Sequence, residues 1–86
     1  MNMDIIAVKP LPDHFLELRY ADDSLRLFDM KPLLGMKPWT VLANPTRFAQ
    51  VQVAYGTVVW PGEIDIAPET LWMDSVELAL AFWVNA

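Results

Sequence analysis

The chain has 86 residues, 55% of them hydrophobic, 12% aromatic and 20% charged, with a formal net charge of −5. That length fits one domain, and the apolar share argues against disorder. With no cysteine and one histidine, the chain alone builds no disulfide, no thiolate nucleophile and no multi-histidine metal site, so no cofactor is expected.

Residues 3–9 read as a first strand, closed by Pro10 and Pro12, with Pro12-Asp13-His14 as a turn. His14 to Tyr20 reads as a second strand, with Leu16, Leu18 and Tyr20 on one face and Phe15, Glu17 and Arg19 on the other. The break Ala21-Asp22-Asp23-Ser24 closes a hairpin to a third strand, Leu25 to Met30. Joined through that four-residue break, the hairpin places Leu16, Leu18, Leu25 and Leu27 on its core side and leaves Phe15 and Phe28 among charges. Asp29 to Gly35 fits a helical turn, and Trp39 to Ala43 is ambiguous. Asn44-Pro45 suits a cap followed by proline in the first helical position. Gln50 to Tyr55 alternates, with Val51, Val53 and Tyr55 inward. Gly56 permits the turn to a partner strand, Thr57 to Trp60. Pro61-Gly62 stops that strand, Ile64-Asp65-Ile66 is a short extended piece, and Ala67 to Trp72 is a proline-started turn of helix.

The last segment admits two readings. Asp74 followed by Glu77 resembles a capping box, and Leu78 to Ala81 are good helix formers, which predicts a helix over 75–84. Val76, Leu78, Leu80, Phe82 and Val84 also alternate, as a strand would. With the helix, the fold class is α+β: a small antiparallel sheet of about five strands, in the order β-β-β-α-β-β-α, with short helices and an apolar C-terminal helix.

Gly56-Thr57-Val58-Val59-Trp60-Pro61, followed by Asp65-Ile66-Ala67-Pro68-Glu69-Thr70-Leu71, resembles a motif of a small bacterial family catalogued as domain of unknown function 2442. Leu16 to Tyr20 and Leu25 to Asp29 resemble the strands that open its members, with Asp22-Asp23 where an Asp-Gly turn is usual. The resemblance brings no established activity. It implies a module that some relatives fuse to a helix-turn-helix domain. Others are encoded beside a second small gene, an arrangement resembling a toxin–antitoxin pair. This chain is expected to be the bare module.

The motif has a structural reading. Trp60 ends a strand, and Pro61, lacking an N–H, stops the ladder. Pro68 presets φ for a helical turn, Asp65 can accept from one of that turn's free amides, and Glu69 suits the positive end of the helix. Leu71 and Trp72 then join Trp60 in the core. As an acid–base pair, Asp65 and Glu69 lack an identifiable nucleophile or oxyanion donor. His14 reads as an exposed turn residue. Neither Ser24 nor Ser75 sits in a G-x-S-x-G elbow, and no phosphate-binding glycine motif occurs. The chain is therefore expected not to be an enzyme.

Residues 1–43 carry five bases against six acids, and residues 44–86 one base against five acids. No basic cluster exists to neutralise phosphates, so nucleic acid is not an expected partner. Arg19, Arg26, Tyr20 and Phe28 read as cross-strand packing rather than a base-stacking surface. No apolar run approaches the roughly 18 residues of a span, and Asp4 interrupts any secretory pattern, so a cytoplasmic location is expected. If 75–84 is helical, Val76, Leu80 and Trp83 share one face while Leu78 and Phe82 fall elsewhere. A helix apolar nearly all round is buried on more than one side. A second copy is the simplest cover, which predicts a homodimer or higher oligomer with Leu78, Phe82 and Trp83 at or near the contact. The product of a neighbouring gene is the alternative partner, a nucleic-acid-associated regulator is a second alternative, and an extended strand or tail completing the monomer's own core is the reading without a partner.

Overall fold

A computed structural model describes residues 4–78. It is an α+β fold with two antiparallel sheets and few short helices. The first sheet has the order β1-β2-β3-β7, from β1 (Ile5–Leu11), β2 (Phe15–Tyr20), β3 (Leu25–Asp29) and β7 (Ser75–Glu77). The second has the order β4-β5-β6, from β4 (Gln52–Ala54), β5 (Thr57–Trp60) and β6 (Ile64–Asp65). The helices are α1 (Pro45–Phe48) and α2 (Pro68–Asp74), with 3-10 turns at Lys31–Leu33 and Trp39–Ala43 and a tight turn at Pro12–His14 in which Asp13 and His14 have φ of 67° and 62°. Asn44 caps α1 as expected, its side chain accepting from the Thr46 N–H at 2.9 Å.

The strand beginning at Ile5 joins the two sheets. The Ile5 N–H donates to Gly56 O and the Asp4 carbonyl accepts from Ala21 N–H, both at 3.0 Å. A Cβ at Gly56 would lie 2.6 Å from the Asp4 carboxylate, which would have to swing aside to admit it. The β1–β2 register shifts between Ile5 and Ala7. That bulge turns Ile5 into the core at 2% exposure and leaves Ile6 outside at 52%. Pro10 lies within β1 rather than ending it.

The β2–β3 hairpin corrects the expected facing of β3. Arg19 pairs with Leu25 and Leu18 with Arg26, so the loop spans three residues, closed by the Tyr20 N–H to Ser24 O bond of 2.9 Å. Asp23 takes the left-handed conformation, φ 68°, that ends such a loop. An odd loop puts even-numbered residues of both strands on one face. Leu16, Leu18, Tyr20 and Phe28 are therefore the core, each at 2% exposure or less. Leu25 and Leu27 face outward and are half-buried. A slip of one residue moves a strand's whole apolar set to the other face.

The β4–β5 turn corrects a second expectation. Ala54 pairs with Thr57, so Tyr55-Gly56 is a two-residue loop with φ of 56° and 74°. This is the geometry of a type I′ turn, and Tyr55 stands 95% exposed. Tyr55→Asn should therefore stabilise the protein by about 1 kcal/mol, because asparagine adopts left-handed φ with little strain. A loss of stability in urea titration would return Tyr55 to the core.

The helix expected from residue 75 does not start there. Ser75–Glu77 is a strand in register with β3, pairing Val76 with Leu27 and Ser75 with Phe28. The β3 ladder supplies the backbone partners that a helix would otherwise provide. The rest of that expected helix, including Phe82 and Trp83, lies outside the described residues.

Candidate functional site

The motif from Trp60 to Leu71 forms a folded corner between the two sheets. Trp60 ends β5 at 3% exposure; its indole N–H donates to Phe48 O at 2.9 Å, and its ring stacks on Phe48 with centroids 6.3 Å apart. Pro61 follows in an exposed turn where Gly62 and Glu63 have φ of 95° and 62°. The buried Thr57 hydroxyl donates to Ile66 O at 2.6 Å and ties β5 to the chain entering α2. Leu71 is fully buried, and Trp72 packs partly buried against the same core.

Of the two carboxylates of the motif, Glu69 lies where it was expected and Asp65 does not. Pro68 opens α2 in the first turn, as expected, but the cap position is Ala67 and no side chain caps it. Asp65 is exposed on β6, where its backbone carbonyl, not its carboxylate, accepts from the Trp39 indole N–H at 2.9 Å. Glu69 is exposed in the first turn of α2. Neither carboxylate has a hydrogen bond or ion pair among the described residues. Asp65→Asn and Glu69→Gln should each change unfolding free energy by about 0.5 kcal/mol or less. A capping carboxylate would instead lose about 1 kcal/mol in the same urea titration.

His14 is half-buried rather than exposed. Its Nε2 donates to Leu42 O at 2.9 Å and its ring lies 4.8 Å from that of Phe48. Among the described residues, no three His, Asp or Glu side chains form a group that could hold a metal ion, and no helix is long and apolar enough to cross a membrane.

The most connected polar side chain is one that the sequence suggests only as cross-strand packing. Arg26 lies on the core face of β3, 4.2 Å above the Trp72 ring. Its Nε donates to Ser75 Oγ at 2.6 Å, and its Nη2 donates to Ser75 O at 2.8 Å and Trp72 O at 3.2 Å. A guanidinium at the end of α2 satisfies carbonyls left without helical partners and complements the negative end of the dipole. The same fork fixes β7 beside β3. Tyr20 meets Trp72 edge to face at 5.1 Å. Its hydroxyl is buried without a hydrogen-bond partner among the described residues. Burial raises the pKa of that hydroxyl, and the Arg26 charge offsets part of the rise.

The Trp-Pro strand end, the Pro-Glu helix start and the β2–β3 hairpin thus form one continuous unit. The family described as protein of unknown function (DUF2442) matches residues 5–77. The chain belongs to the DUF2442 family. The DUF2442 match covers every strand and helix described above and ends with β7. No curated protein and no solved structure gives a significant match.

Proposed function

We propose that this DUF2442 chain is a non-enzymatic module that works through protein–protein contact, first with a second copy of itself. The observation that carries this reading is an apolar outer face at the β3–β7 edge. Leu27 pairs with Val76, and the Leu78 N–H donates to Leu25 O at 3.0 Å. Alternation along both strands puts these four side chains on the side away from the core. Val76 is 60% exposed, and Leu25, Leu27 and Leu78 are half-buried.

β7 is also the outermost strand of its sheet among the described residues. An outermost strand offers backbone groups to another strand. Two copies of one strand meet antiparallel about a two-fold axis, the commonest closed symmetry. Phe82 and Trp83 follow Leu78 closely in the chain and belong to the proposed contact. A membrane surface suits this segment less, because residues 75–86 contain no Lys or Arg and Glu77 would be repelled by anionic lipid.

Light scattering at micromolar concentration tests the reading. The expected mass is twice that of the 9.8 kDa chain or a higher multiple. Val76→Glu and Phe82→Glu should each shift it toward the monomer, since a buried unpaired carboxylate opposes the contact. A clean monomer mass for the parent overturns self-association. If that monomer retained the adjacent gene's product, the face would pass to that partner.

A further inference from the structure

A second surface feature lies on another part of the molecule. The segment around the Trp39–Ala43 turn, Arg47 of α1 and the β5–β6 turn line an open cavity of about 420 Å³. Its walls include Val41, Pro61 and Ile64, and its polar contributors are Lys37, Thr40 and Arg47. Small-molecule sites are typically concavities of roughly 300–1,000 Å³ with apolar walls and a few polar groups.

The charges here run against the rest of the chain. Of six bases, Arg26 is held in the α2–β7 node, Arg19 lies 3.7 Å from Asp23, and Lys31 lies 3.1 Å from Asp29. Lys9 stands on the outer face of the first sheet, opposite Glu17. Lys37 and Arg47 both line the one cavity, and neither head group has a hydrogen-bond or ion-pair partner among the described residues. No acid lines it among the described residues, in a chain with eleven acids. Two unpaired cations over an apolar wall make a local positive site on a negative molecule.

We infer that this cavity binds a small amphipathic anion, with a carboxylate or phosphate head between Lys37 and Arg47 and an apolar body against Val41 and Ile64. Arginine presents a planar fork to either head, and the lysine ammonium adds a compact charge. The inference is independent of self-association, since none of these residues lies on the β3–β7 edge.

Titration of the ¹⁵N-labelled protein with octanoate, octyl phosphate and octan-1-ol, followed by amide shifts, tests it. Octanoate, octyl phosphate or both should give saturable shifts centred on residues 37–41, 47 and 61–64, and which of them does identifies the preferred head. Octan-1-ol should bind there about tenfold more weakly or not at all. Lys37→Ala with Arg47→Ala should weaken anion binding by about tenfold or more. Lys9→Ala with Arg19→Ala, which changes net charge equally, should leave it within about twofold. Equal binding of the alcohol, equal loss in the two double variants, or saturable shifts elsewhere would each overturn the inference. So would no saturable shift with either anion.

Discussion

Trp60→Ala should cost roughly 3–5 kcal/mol, the usual range for truncating a buried large aromatic side chain. Trp60 is 3% exposed, so its removal leaves a cavity beneath the β5–β6 turn, and the Phe48 carbonyl loses its indole donor. A small domain holds about 5–15 kcal/mol in all, so the variant should be largely unfolded at modest urea. Trp60→Phe keeps most of the volume but not the N–H, and should recover well over half of the loss. A urea midpoint for Trp60→Ala equal to the parent's would mean that the indole is not part of the core.

Arg26→Met should cost about 2–5 kcal/mol. Hydrogen bonds from a charged donor contribute about 1.5–3 kcal/mol together, and a partly buried cation–π contact about 0.5–2 kcal/mol more. Methionine retains the apolar stem over Trp72 but takes the guanidinium from Ser75 Oγ and the Ser75 carbonyl and leaves the Trp72 carbonyl only the Ser75 hydroxyl as donor. Arg26→Lys should rescue only part of this, because an ammonium cannot reproduce the fork. The amides of residues 76 and 78 should lose hydrogen-exchange protection first, since β7 is fixed by that fork. Unchanged protection in Arg26→Met would mean that the β3 ladder alone holds β7.

Much of the fold could be read from local chemistry. Asn44-Pro45 and Ala67-Pro68 mark helix starts by proline's fixed φ, and both helices start there. The alternation of Leu16, Leu18 and Tyr20 has a single interpretation once one face is buried. The facing of β3 depended on one residue of loop length. Counting Ala21 to Ser24 as the loop reverses the parity that the left-handed Asp23 restores. Aspartate tolerates that conformation, and a glycine at this place would have pointed to it more plainly. Because parity was reversed, Arg26 fell on the non-core face as mere cross-strand packing, and its role at the end of α2 was hidden.

The other differences have similar causes. Tyr55 continues the alternation of Val51 and Val53, and a two-residue turn ends that pattern without a polar residue before Gly56. Asp74 and Glu77 have capping-box spacing, yet tertiary pairing with β3 overrides local helix preference at Ser75 and Val76. Asp65 has the composition of a cap, but its place in the β6 ladder commits it to extended backbone two residues before the Ala67 cap position. Lys37 and Arg47 are ten positions apart and carry no spacing signal; only the fold brings them to one cavity.

The contact between copies can be read directly from a sample mixing ¹³C-labelled and unlabelled chains, with isotope-filtered nuclear Overhauser spectra recorded on the mixture. The account predicts intermolecular contacts from the methyl groups of Leu27, Val76 and Leu78. Intermolecular contacts confined to other apolar surface, such as Met36 and Val41, or none at all at concentrations where the parent is dimeric, would contradict it.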